Sequence, residues 1–139
     1  MTTTPAEVLD AQVGDPAIDH DHKLIEELIL ALREAIVSGD NEAQAELGEA
    51  LVRHVRTHFA VEELLMRLYR YPGAAAHAEE HAAVRDRLKR IAWDLTSGDT
   101  DAALRDLDEL LAWRTTHMTE ADVAYRQYLC ATGIFRSGA

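Results

Sequence analysis

The sequence predicts an all-α protein, an antiparallel up-down-up-down four-helix bundle with a loose N-terminal arm. Three observations carry this expectation. Four long segments are rich in Ala, Leu, Glu and Arg, which are good helix formers. Each segment bears an apolar stripe at steps of three and four, and none shows the alternation of a strand. The breaks between them are short: SGDN at 38–41, YPGA at 71–74 and SGDT at 97–100. Connections of that length favour antiparallel neighbours.

Residues 1–17 form the arm, which runs into the helix through AQVGDPAID. The first helix carries Ile18, His22, Ile25, Ile29, Leu32 and Ile36 on one face. The second carries Leu47, Leu51, His54, His58, Glu62, Leu65 and Tyr69. Pro and Gly together end it at YPGA. In the third the stripe is His77, His81, Val84, Leu88, Ile91 and Leu95. Asp99 or Thr100 is available to cap the fourth, which runs from about Thr100 to Leu129 with Leu104, Leu107, Leu111, Met118 and Tyr125 on its face. The bundle thus occupies about 18–129, residues 130–139 are a tail, and the 139 residues make a single domain.

Composition narrows the function. Hydrophobic residues at 47% and charged residues at 28% describe an ordinary soluble domain. A net charge of −11 and a pI near 4.9 repel phosphate backbones, so nucleic acid is not an expected partner. The lone Cys130 excludes an internal disulfide. No basic segment followed by an apolar run marks a signal peptide, and no apolar stretch approaches a membrane span, so the expected location is the cytoplasm.

Five histidines and two carboxylates stand out against this background: His22, His58, Glu62, His77, His81, His117 and Asp122. They sit on stripes that are otherwise apolar. His22, His77 and His81 are near the starts of the first and third helices; His58, Glu62, His117 and Asp122 are toward the ends of the second and fourth. In an antiparallel bundle those four places share one end, so all seven side chains can converge in one layer. Imidazole with carboxylate suits a first-row transition metal, iron in particular. His58 and Glu62, and likewise His77 and His81, are one helical turn apart and can bite one metal or one cluster. His117 and Asp122 are five apart, about 140° around an ideal helix, so they need a larger cluster or a local distortion of the helix. Seven donors exceed one tetrahedral zinc, which makes a dinuclear site the simplest reading.

Ferritin-like di-iron proteins use Glu-x-x-His pairs, and no such pair occurs here. The motifs instead resemble the hemerythrin family, in its single-domain bacterial form. The matching pieces are D-x-x-H-K at 19–23, H-F-x-x-E-E-x-x-M at 58–66, Y-P followed by H-x-x-x-H at 71–81, and W-x-x-x-H-x-x-x-x-D-x-x-Y at 113–125. The resemblance runs from about Val13 to Leu129.

It implies two iron ions per chain, bridged by an oxo or hydroxo group, that bind O2 reversibly for carriage, storage, delivery or sensing. It also implies the division of donors. His77, His81 and His117 hold one iron, His22 and His58 hold the other, and Glu62 and Asp122 bridge both. Donor counting then leaves one octahedral position open beside His22 and His58, where O2 binds and is reduced by two electrons. Ile25, Phe59, Trp113 and Met118 are the expected lining of an apolar O2 pocket.

His54 departs from the pattern, since it stands where the family has an apolar residue; it is expected either to be satisfied by packing and a hydrogen bond or to supply protons to the site. His20 is expected at the surface. The arm lacks the tryptophan many relatives carry, and Val8 or Leu9 is the expected cover in its place. Two rival readings remain open: a di-iron enzyme acting on peroxide or nitric oxide, and a zinc peptidase using His77, His81 and Glu80 of HAEEH as H-x-x-E-H.

Overall fold

A computed structural model gives the fold; it describes the backbone of residues 16–133 and the side chains of 22–116 and 120–133. Among these residues every regular element is helical. Helix α1 spans Pro16–Ser38, α2 Asn41–Leu68, α3 Ala74–Ser97, α4 Thr100–Trp113 and α5 Thr119–Ala131. A π-helical turn, Arg114–Met118, joins α4 to α5, so these two make up the fourth arm of the bundle. Helix α1 packs on α2, α2 on α3, α3 on α4, and α4 back on α1, which closes the ring. The arm with Val8 and Leu9, the side chains of Ile18 and His20, and the end of the tail lie outside the described residues.

Local chemistry sets the turns. The Asp40 carboxylate accepts from the Ala43 N–H at 3.1 Å and caps α2. Asp99, of the two candidates, does the same for α4 through Ala102 N–H at 3.1 Å. Gly98 ends α3 with φ +81°, a left-handed cap conformation that a side chain would strain. Gly73 answers a different need. A Cβ there would meet the Tyr71 ring at 2.7 Å, so glycine lets that ring fold back over the start of α3.

The apolar core fills the end of the bundle away from the histidines. Ile29, Leu32, Ile36, Leu51, Val55, Leu88, Ile91, Ala103, Leu107 and Leu110 pack there as one cluster. Gln44 is buried among them and donates to the Ala35 carbonyl at 3.2 Å. The seam of α2 differs from the sequence stripe. Val55, Phe59 and Met66 are buried, whereas His54 and Leu65 are half-buried and Tyr69 is 37% exposed at the cap. Each of these three buried residues is one beyond a stripe position, and Val55 takes the interior in place of His54 because burying an apolar side chain gains more than burying a polar ring.

Candidate metal centre

Helix α1 brings His22 in near its start, α2 brings His58 and Glu62 near its end, α3 brings His77 and His81 in its first two turns, and α5 brings Asp122. All six are buried. They form two groups whose donor atoms lie within 4.8 Å of one another: His22, His58 and Glu62, and Glu62, His77 and His81. Glu62 belongs to both. Its Oε2 is 3.1 Å from His58 Nε2, and its Oε1 is 3.4 Å from His81 Nε2 and in close contact with His77 Nε2. Asp122 also spans the two groups, with Oδ2 2.9 Å from His22 Nε2 and Oδ1 3.4 Å from His77 Nε2.

Position 117 falls within the π turn, and its side chain is outside the described residues, as is that of Met118. The π turn is nevertheless a local distortion of the helix just before Asp122, of the kind the five-residue step calls for, since hydrogen bonds from i to i+5 widen a helical turn. Thr115 and Thr116 turn their hydroxyls onto the carbonyls of Leu111 and Ala112 at 3.0 Å, the back-bonding that loosens an α-helical ladder.

The electrostatics are those of charges without water. Burial pushes the Glu62 carboxyl upward, yet His58, His77 and His81 outweigh it and hold it well below the usual carboxylate range. Asp122 goes the other way: burial, with the charge of Glu62, raises it to about 6 despite His22. His77 is lowered by burial but raised further by Glu62 and Asp122, and ends above its ordinary value. Among the described residues, His22 Nε2, His81 Nε2, both Glu62 oxygens and both Asp122 oxygens are buried without an aligned hydrogen bond. Leaving so many polar atoms unsatisfied is costly. Metal ligation removes that cost, and neutral imidazoles with two carboxylates are the donors a hard-to-borderline cation takes. The donor set therefore fits iron.

Further residues support these donors. Phe59 lies flat on His81, with centroids 3.7 Å apart and planes 3° from parallel. Glu63 Oε2 is 3.5 Å from His81 Nδ1 and takes a hydrogen bond from Arg85 at 3.3 Å, so a carboxylate backs this imidazole on its outer side. The Arg85 guanidinium also lies 6.0 Å from the centroid of the Phe59 ring. Sequence reasoning did not single out Glu63 or Arg85; the doubled Glu of HFAVEE was the available signal.

Of the expected pocket residues, Ile25 and His54 do meet. With Thr57 and His58 they line a cavity of about 50 Å³. Phe59 stacks on His81 and its ring centroid is 6.1 Å from that of His58, and Trp113 is partly buried against the apolar core. Glu80 of HAEEH belongs to neither donor group among the described residues.

A four-helix bundle with histidines and carboxylates gathered at one buried end defines a class of helical metal-binding protein. The chain matches the family model of the hemerythrin HHE cation binding domain over residues 13–127, and it belongs to the hemerythrin family. It is 32% identical over 117 residues to a bacteriohemerythrin of Pseudomonas paraeruginosa, covering 84% of this chain and 75% of that one. A bacteriohemerythrin of Methylococcus capsulatus is 29% identical over 141 residues, 94% of this chain and 98% of its own. Among the described residues no helix is long and apolar enough to cross a membrane.

Proposed function

We propose that the protein binds O2 reversibly at a non-haem di-iron centre. The observation that carries this reading is the sharing of Glu62 between two buried donor groups, with Asp122 spanning them a second time. One bridging carboxylate can be chance; two, set between two sets of imidazoles, match a pair of ions held together by oxygen bridges. His77 and His81 would hold one ion together with His117, and His22 and His58 the other. A pair of iron ions bound there supplies the two electrons that O2 takes up and returns.

The protein's own part is to shape and dry the site. Glu62 and Asp122 present carboxylates that need no proton once cations neutralise them. Glu63 and Phe59 hold the His81 ring in one orientation. The His22 and His58 side has one imidazole fewer, and the small cavity of Ile25, His54, Thr57 and His58 adjoins it. Ile25 gives that cavity an apolar wall, which favours release of the ligand unchanged. His54, half-buried on the same cavity, is the residue through which an enzyme acting on peroxide or nitric oxide would gain a proton donor.

Anaerobic iron loading followed by air tests the proposal. Two irons per chain and a visible charge-transfer band that appears with O2 and fades on its removal are expected. Uptake of one zinc in preference to iron, with no response to O2, would overturn it.

A further inference from the structure

Tyrosine occurs four times in this chain, at 69, 71, 125 and 128; the rings of the last three meet at the metal end, and Tyr69 joins them through its backbone carbonyl. Tyr125 stands one turn beyond Asp122 on α5, is 3% exposed, and its hydroxyl has no hydrogen bond among the described residues. Its ring lies 5.0 Å from Tyr71, and Tyr71 lies 5.2 Å from Tyr128. The Tyr128 hydroxyl reaches the exposed end of α2, donating to the Tyr69 carbonyl at 2.7 Å and the Arg70 carbonyl at 3.1 Å. The Tyr128 hydroxyl caps the end of α2, but packing does not account for the hydroxyl of Tyr125. Phenylalanine fills the same space, and at position 125 it would avoid burying an unsatisfied O–H. What the three hydroxylated rings share is that each can give up one electron, and that each touches the next.

We propose that Tyr125, Tyr71 and Tyr128 form a path that carries single electrons from the protein surface to the metal centre and so discharges peroxide there. The proposal rests on the di-iron reading above. A centre that meets O2 also meets hydrogen peroxide. Hydrogen peroxide takes up two electrons and two protons and leaves as two waters. Each electron comes from Tyr125 together with its phenol proton, leaving a neutral phenoxyl radical. Tyr71 restores Tyr125 with one hydrogen atom, and Tyr128 restores Tyr71. A small hydrogen-atom donor of the ascorbate class restores Tyr128 at the surface. The sum is one hydrogen peroxide and two donor hydrogen atoms giving two waters and two donor radicals.

The surroundings suit a neutral relay. Burial, with the nearby charges of Tyr69 and Glu62, pushes the Tyr125 phenol up to about 12, and burial also raises Tyr71. Both rings therefore stay protonated, and electron and proton leave together. The path ends where α2 stops and the backbone is open to solvent, so the oxidising equivalent is handed on away from the buried histidines.

The test uses the iron-loaded whole chain, with iron content and the O2-dependent band measured first. A chain that fails there counts against the di-iron reading and leaves the path to be judged on a loaded sample only. Loaded protein is treated with hydrogen peroxide and a nitroso spin trap, then mapped by peptide mass spectrometry, with freeze-quenched electron paramagnetic resonance in parallel. A phenoxyl signal and a trap adduct on Tyr128 are expected. In Tyr71→Phe the phenoxyl signal persists, the Tyr128 adduct is lost, and oxidation of the histidines rises. Tyr128→Phe, which alters no ring near the donors, moves the adduct to Tyr71 and covers the case in which the first variant folds poorly. Unchanged Tyr128 labelling in Tyr71→Phe, a radical on Trp93 or Trp113 alone, or no protein radical from loaded chains would each overturn the path.

Discussion

Replacing Asp122 by Asn should stabilise the metal-free protein and destabilise the iron-loaded one. The Asp122 carboxyl is raised from 3.8 to about 6 by burial and by Glu62. At about 1.36 kcal/mol per pH unit, holding it ionised in the fold costs on the order of 3 kcal/mol. The sign follows from the direction of the shift. A carboxyl raised on folding favours the fold below its unfolded value near 3.8, and that contribution is lost as pH rises through about 6. Glu62 has the opposite sign, since its lowered value favours the fold above 4.5 and that stability is lost on acidification. Glu62 is common to both proteins and largely cancels in their difference. Asparagine cannot ionise, so its advantage over Asp122 should grow by roughly 2 kcal/mol between pH 4.5 and 7.5. Urea unfolding of chelator-treated protein, followed by circular dichroism, reads this as a midpoint shift of roughly 1 M. With iron the order reverses, because the variant loses a bridging donor and with it the stabilisation that bound metal confers. An advantage for the variant that is absent at pH 7.5, or equal at both pH values, would refute the view that Asp122 is strained without metal.

Other consequences can be checked with the same material. Deleting Thr115 should return Arg114–Met118 to a regular helix, where positions 117 and 122 stand about 140° apart; iron content should fall while helix content by circular dichroism stays constant. Glu63→Ala removes the carboxylate behind His81 and should weaken metal binding by about 10–100-fold in chelator competition, and an unchanged affinity would remove Glu63 from the site. His54→Leu should slow autoxidation of the O2-bound form and flatten its pH profile if His54 feeds protons through the shared cavity; an identical rate and profile would mark His54 as packing alone.

The helices were legible because burial follows a period of about 3.6 residues, and Ile25, Ile29, Leu32 and Ile36 obey it closely. The donors were legible for the same reason. A histidine or carboxylate on an apolar stripe is expensive unless it has a partner, and His58, Glu62, His77 and His81 repeat at one helical turn. What escaped was non-local or backbone-borne. Glu63 and Arg85 look like ordinary surface charges until α2 and α3 are side by side. The approach of Tyr71 to Tyr125 and Tyr128 joins a loop to a helix more than fifty residues later. His54 was read into the α2 seam because it is four residues before His58, whereas Val55 holds that place. The π turn carries no Pro or Gly to announce it; its one trace in the sequence was the awkward five-residue step from His117 to Asp122.

The division of the bundle into an apolar end and a donor-lined end bears on how iron could ever arrive. His81 is 1% exposed and Asp122 2%, so among the described residues the donors have almost no direct contact with solvent in the closed fold. Without metal, the donor end holds crowded, poorly satisfied polar groups, while Leu32, Leu51, Leu107 and their neighbours clamp the opposite end. Local opening should therefore begin at the starts of α1 and α3 and leave the far half intact. Backbone amides there should exchange with deuterium early in the metal-free chain and become protected on loading. The bundle would then behave as a hinged vessel, shut by its cargo rather than before it.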